Sequence, residues 1–294
     1  MANTLKDLAA SAKLVAQEAL EKALTELKTY IDAQDAAGSG ASADAIAAVN
    51  ARIDTLIGQG DTTQVIDTFN SNHMGMSSEM TDDVYIEDVY NSLSIEGYKV
   101  NRTLINNVLS RQRDVESDDE KTVLIIKGYF QAFQKVNDSI VQIRTENLNP
   151  GQYVESEFMD WYIDMWRPFV DAGIIKLSDI MGYRNRPVYI KNSWHVPPAS
   201  HKVLDYMDEY FECLKNEEYA SVRAVLGHFF LTWIHPFNDG NGRMARFVMN
   251  AMLTTGGYSW TVIPVSERNR YMTALEKASV DGDITDFSKL IAEL

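Results

Sequence analysis

The chain of 294 residues exceeds the roughly 100–200 residues of one domain, so two compact units, or one domain with an extension, is the starting expectation. With 45% hydrophobic and 23% charged residues it has the apolar material for a sizeable core, which excludes wholesale disorder. Its 42 acidic against 27 basic residues leave a net charge of -15, which repels long phosphate backbones and anionic lipid, so neither a nucleic acid nor a membrane is expected as a partner.

Residues 5–33 are rich in Ala, Leu, Glu and Lys without Pro or Gly, and Leu20, Leu24, Leu27 and Ile31 recur at helical spacing. After a breaker at residues 36–42 the period resumes at Ile46, Val49, Ile53 and Leu56. Residues 1–60 thus read as a helical, coiled-coil-like segment. Two readings stay open: a stalk that builds a homo-oligomer, or a helical pair folded against the main domain.

From residue 81 on, amphipathic helices joined by short polar loops are expected at 82–95, 102–111, 119–136, 155–172, 201–214, 219–234, 243–254, 267–278 and 283–294. One stretch departs from that pattern. In residues 183–198, β-branched and aromatic residues flank the turn-like Lys191, Asn192 and Ser193, and Pro197 with Pro198 ends the run, so a small β-hairpin is predicted. Cys213, the only cysteine, falls in a helical run and reads as a small packed side chain. No stretch approaches the ~18 apolar residues of a membrane span and no leader pattern opens the chain, so a cytoplasmic protein is expected. The fold class is mainly α, a helical bundle with one hairpin.

The densest chemistry lies in residues 232–246. An apolar helix must stop at Pro236, and another begins near Arg243, so the polar loop between them is held at both ends. Gly240 and Gly242 allow a turn whose successive N–H groups form an anion nest merging with the next helix N-terminus. Arg243 and Arg246, three apart, share a helix face and suit phosphate oxygens. Asp239 is a hard carboxylate of the kind that shares Mg²⁺ with substrate phosphates. His235 is the side chain there able to take a proton near neutral pH. Together these parts read as a di- or triphosphate site with a general base at its edge. The Gly240-x-Gly242-x-x-Ala245 spacing lacks the strand that a dinucleotide fingerprint needs, an EF-hand from Asp239 would put Asn250 where a Glu belongs, and the histidines show no zinc spacing.

At these residues the chain resembles the Fic family: His235-Pro-Phe-Asn-Asp-Gly-Asn-Gly-Arg-Met-Ala-Arg246 meets every specified position of HPFx[D/E]GNGRxxR. The resemblance extends through Tyr183 and Arg184, Val188, Tyr189 and Ile190, Val196 to Pro198, and Arg270 to Leu275, covering about residues 75–294. It implies a Fic-type bundle and transfer of AMP from ATP, with Mg²⁺, to the hydroxyl of a Ser, Thr or Tyr in a target protein or in the chain itself. In that picture His235 is the base, Asp239 binds Mg²⁺, Asn241 with the Gly240–Arg243 backbone cradles the α- and β-phosphates, and Arg246 meets the γ-phosphate. Val188, Tyr189 and Ile190 look like the target-docking flap. Phe237, apolar within a polar loop, is expected to anchor it in the core.

A second family motif, [S/T]xxxE[G/N], matches Ser92, Glu96 and Gly97, as in the subgroup whose inhibitory helix precedes the core. Glu96 paired to Arg246 would occupy the site a γ-phosphate needs, and Ser92 is placed to hydrogen-bond that Glu. The domain reading is therefore 1–60 as the N-terminal segment, 75–115 as the inhibitory-helix region and 116–294 as the core. The resemblance leaves open removal of AMP, or transfer of another phosphate-containing group, by the same site. A separate alternative is an oligomeric module gated by nucleotide.

Overall fold

The computed structural model describes residues 82–110 and 120–294. The stripes of residues 1–60 lie outside the described residues. In chain order the helices are α1 (Asp82–Ile95), α2 (Arg102–Leu109), α3 (Glu120–Glu146), α4 (Pro150–Asp171), α5 (Val203–Asn216), α6 (Ala220–Ile234), α7 (Asn241–Thr255), α8 (Arg268–Val280) and α9 (Thr285–Glu293).

Each expected helix is present, and the main departures have local causes. Helix α3 continues to Glu146 rather than stopping at residue 136, because Ile140 and Ile143 extend its buried stripe past the weak helix formers Asn137 and Asp138. Helix α4 begins at Pro150. Asn149 caps it by accepting from the Gln152 N–H at 2.9 Å, and proline in the first turn loses no needed donor.

Helices α3 and α4 pack along one another, α4 meets α5, and α5 meets α6. Helix α7 lies at the centre against α6, α3 and α4. Twelve of its 15 residues are buried, including Arg243, Arg246 and Asn250. The sequence makes this helix look amphipathic; the structure instead buries it all round and pairs its polar residues internally. Asn250, for example, donates to Thr261 O at 2.9 Å and accepts from Thr261 N at 2.7 Å. Helix α1 lies across α2, α3 and the short turn Val265–Glu267, where Asn91 Oδ1 accepts from Val265 N at 2.9 Å.

The predicted hairpin is not formed. Residues 183–198 run as extended and turn backbone with no ladder between the two arms. The turn itself is there, with Ser193 N–H donating to Ile190 O at 3.2 Å and Asn192 at φ 62°. Pro187, Pro197 and Pro198 lack the N–H donors a ladder requires, and the Arg184 guanidinium takes the carbonyls of Arg186 and Pro198. Outside that segment the Glu276 carboxylate on α8 accepts from Trp194 N at 2.7 Å and from the Ser193 hydroxyl. Side chains therefore shape this segment where backbone pairing was expected.

Trp161 is a central support of the bundle. It is fully buried on α4, and its indole Nε1–H donates to Ser139 Oγ on α3 at 3.2 Å. Trp161→Ala removes that ring and leaves a cavity between the two longest helices. Thermal unfolding is expected to show a loss of about 3–5 kcal/mol.

Candidate active site

The loop between α6 and α7 is set by the ends of both helices. Pro236 cannot continue α6, so His235 caps it in the left-handed conformation, φ 53° and ψ 59°, with its N–H donating to Leu231 O at 3.0 Å. Its Nδ1 lies 3.2 Å from Thr232 O. A carbonyl can only accept, so this contact places the ring proton on Nδ1 and leaves Nε2 as the basic nitrogen. Burial lowers the His235 pKa; the Thr232 carbonyl opposes that shift, the Arg184 cation adds to it, the Glu96 carboxylate opposes it, and His195 adds to it slightly. The imidazole is thus held neutral, as a general base must be.

Phe237 is the anchor its apolar character implies. Its ring stacks on Tyr162 at 3.6 Å between centroids, beside Phe158 on the same helix α4. Asn241 closes the loop, accepting from Phe237 N and donating to Phe237 O, both at 2.9 Å. The Asn241 amide thus holds the loop from both ends, while its backbone N–H lies in the first turn of α7. Tyr162 donates to Asp239 O at 3.2 Å. Gly240 precedes α7 at φ 89°, and a Cβ there would lie 2.7 Å from the Met165 methyl, so glycine meets both the backbone and the packing demand.

The first turn of α7 carries N–H groups without helical acceptors and is a ready anion site. Arg243, 1% exposed, folds back so that Nη2 reaches Asp239 Oδ1 at 3.3 Å. Its guanidinium carbon lies 4.9 Å from the Trp166 ring and 5.7 Å from Tyr98. Its Nε and Nη1 are buried without a partner among the described residues. Two orphaned donors on a buried cation are costly unless an anion completes them.

Arg246, one turn further on, is 2% exposed and fully engaged. Nη2 donates to Glu96 Oε1 at 2.7 Å and to Ser92 O at 3.2 Å, and Nε donates to Ser92 Oγ at 2.8 Å. Ser92 thus supports the arginine, where the sequence reading had it supporting Glu96. The Glu96 side chain, 28% exposed, stands directly over Gly242: a Cβ on that glycine would come 2.4 Å from Oε1. Burial pushes the Glu96 pKa up, but Arg246 and then Arg243 more than offset it, so the carboxyl stays below its ordinary range and charged. Gly97, at φ 92°, ends α1 at once, with Tyr98 N–H returning to Leu93 O at 3.0 Å.

Behind the pair lies a buried polar chain that no local pattern announces. Arg246 Nη1 reaches the Tyr271 hydroxyl at 3.5 Å, which lies 2.9 Å from His228 Nε2. Tyr129 donates to Asp88 Oδ2 at 2.6 Å, and burial raises the Asp88 carboxyl to about 6 against the pull of Tyr129, Trp260 and Arg246. Of the expected site residues, the structure brings His235, Asp239, Gly240, Asn241, Gly242, Arg243, Arg246, Ser92, Glu96 and Gly97 into one region. Val188 and Ile190 lie half-buried and Tyr189 is 81% exposed in the flap segment, without the hairpin. Tyr162, Trp166, Asp88, Tyr129 and His228 read from sequence as ordinary core or surface positions.

Among the described residues no cluster of three or more His, Cys, Asp and Glu could hold a metal alone. Asp239, with its side chain 60% exposed, has Oδ1 occupied by Gly240 N at 2.6 Å and by Arg243, while Oδ2 has no hydrogen-bond partner among the described residues. One hard, accessible carboxylate beside an anion nest fits Mg²⁺ held jointly with nucleotide phosphates, and does not fit a resident metal.

Residues 156–253, from within α4 to within α7, match the model of the Fic/DOC family. The protein adenylyltransferase Fic of Drosophila grimshawi is 30% identical over 217 residues, 72% of this chain and 41% of the relative. That of Nematostella vectensis is 27% identical over 214 residues, 71% of this chain and 47% of the relative. The chain thus spans less than half the length of these curated relatives. Among solved structures, Fic-1 from C. elegans superposes with a TM-score of 0.63 at 21% identity, covering 92% of this chain and 79% of that one. A Fic family protein from Desulfovibrio desulfuricans G20 gives 0.60 at 18% identity, covering 79% and 69%. With the sequence match, the shared fold and the loop geometry together, this chain carries a Fic domain of the Fic/DOC family.

Proposed function

We propose that this protein transfers AMP from ATP to a hydroxyl side chain of a target protein, releasing pyrophosphate, and that Glu96 restrains the reaction. The observation that carries the reading is the pair of unpartnered nitrogens on buried Arg243 beside the first turn of α7. A polyphosphate seated there completes those donors, takes the free N–H groups of the turn, and meets Arg246 once Glu96 has left. Asp239 would hold Mg²⁺ together with the phosphates, and the ion would supply neutralising charge for them. Neutral His235 accepts the hydroxyl proton at Nε2 as the target oxygen bonds to the α-phosphorus and the bond to the pyrophosphate oxygen breaks. Thr232 O fixes the tautomer. The names of the curated relatives support adenylyl transfer in particular. Mg²⁺ dependence, modification of the chain itself, assembly through residues 1–60 and a cytoplasmic setting belong to the same proposal.

The restraint follows from one place having two claimants. Glu96 Oε1 stands over Gly242 and on Arg246, the two features a terminal phosphate would use. Glu96→Gly is expected to raise incorporation of labelled AMP by at least about tenfold, since it removes a charge-assisted competitor. Equal or lower incorporation by a folded variant overturns the restraint. His235→Ala is expected to lower transfer by about 10²-fold or more while ATP affinity, measured by calorimetry, stays within about threefold. Loss of binding in step with turnover would instead make the histidine structural.

The pH dependence has a definite sign. Only neutral His235 is a base, and its pKa is lowered by burial and by Arg184 and His195, against Thr232 O and Glu96. Activity should therefore persist into mildly acidic solution, the acid limb of kcat/KM lying below the ordinary histidine range of about 6.5. A limb at or above that range would refute the assignment.

A further inference from the structure

Arg184 takes no part in the anion nest, yet its guanidinium is only 4% exposed and has no carboxylate partner among the described residues. Burying a cation against neutral oxygens is costly, so the identity of those oxygens carries information. Nε donates to His235 O at 2.7 Å, and Nη2 donates to Ile234 O at 3.3 Å and to Pro198 O at 2.6 Å. Nη1 donates to Arg186 O at 3.1 Å, and the Arg184 backbone N–H donates to Pro236 O at 2.8 Å. One side chain thus joins the last carbonyls of α6, the residue proposed as base, and both ends of the segment 186–198.

His235 needs such a hold. Its left-handed backbone costs a non-glycine residue about 1 kcal/mol or more, and its carbonyl accepts from the Arg184 side chain. The Nε bond fixes that peptide, and with it the direction of the imidazole. The other end of the fork holds the segment on which Tyr189, 81% exposed, and Trp194, 88% exposed, present their rings to solvent. Lysine cannot reproduce this, because a point charge on a flexible stem does not reach four carbonyls in one plane.

We propose that Arg184 is a positioning residue for the transfer reaction: it locks the His235 backbone and ties it to the segment 186–198, so that a target seated on that segment is in register with the imidazole. The inference rests on the proposed transfer reaction. Its kinetic signature is a fall in kcat without a matching rise in the KM for ATP, since Arg184 does not touch the nest. It also has an electrostatic signature. The charged or titratable groups that act on His235 are Arg184, Glu96 and His195; the first and last disfavour its protonated form and Glu96 favours it.

The test uses the full chain in the Glu96→Gly background, with Arg184→Lys and Arg184→Gln added separately. Both should lower kcat by about tenfold or more, with the KM for ATP changed less than about twofold. Titration of the labelled histidine ring by NMR should place the His235 pKa higher in Arg184→Gln, where the cation is gone, and near the parent in Arg184→Lys. An unchanged His235 titration in folded Arg184→Gln, or unchanged kcat in both variants, overturns the proposal. If neither variant folds, the parent decides: the Arg184 Nε–H resonance should be protected from exchange and should shift along the His235 titration curve, and a resonance that ignores that curve overturns the proposal. Because the titrations need no turnover, a Glu96→Gly protein that transfers no label refutes the transfer reading while Arg184 is still judged by the ring titration.

Discussion

The guanidinium of Arg246 sets the terms for the rest of the molecule. It sits at 2% exposure on a helix packed on all sides, where an uncompensated charge would cost several kcal/mol. Ser92 supplies two oxygens and Tyr271 a third, but these are neutral, and the negative charge comes from Glu96. Helix α1 therefore does more than cover apolar surface. Glu96, the residue just past its last turn, carries the counter-charge of the central helix, and Asn91 Oδ1 and Ile95 O hold the helix end against Val265 N and Arg268 Nε at 2.9 and 2.8 Å. Withdrawing Glu96 without a replacement leaves a buried charge alone; withdrawing it as a phosphate arrives exchanges one anion for another. Substitution is thus the low-energy route, and under the proposed reaction nucleotide binding and withdrawal of Glu96 would be two sides of one equilibrium.

The loop and the Glu96–Arg246 pair were legible because their residues fall in two short, chemically unusual runs. His235 to Arg246 is contiguous, and Ser92, Glu96 and Gly97 share the end of one helix. What was not legible depends on pairs far apart in the chain. Ser92 and Arg246 are separated by 154 residues, so no spacing reveals that the hydroxyl serves the arginine. Helix α7 misled for a related reason: Arg243, Arg246 and Asn250 imitate a solvated face, and only the partners at Asp239, Glu96 and Thr261 show that the face is interior. The hairpin failed on donors. Alternation of β-branched and aromatic residues was present, but the prolines and the Arg184 fork leave too few free backbone groups for a ladder.

The same long-range logic explains why a chain with a net charge of -15 can offer an anion site. Total charge describes the solvated surface, where screening limits its reach to about 10 Å. Within the site the field comes from two buried guanidiniums and the start of a helix, and low exposure protects it from screening. The price is that such a field cannot be left open. One arginine is closed by Glu96, and the other keeps two donors unpaired among the described residues.

That asymmetry has a consequence for the base. His235 feels Glu96 as a negative neighbour that favours its protonated form, and Arg184 as a positive one that opposes it. With Glu96 over Gly242 the two act in opposite directions. Under the proposed reaction, a polyphosphate in the place of Glu96 would retain negative charge on the Arg246 side, and so would favour proton uptake at Nε2 as Glu96 does. Arg184, held by backbone carbonyls and by no carboxylate among the described residues, opposes protonation of the ring from the other side. The restraint proposed for Glu96 and the basicity of His235 would then both depend on which anion stands over Gly242.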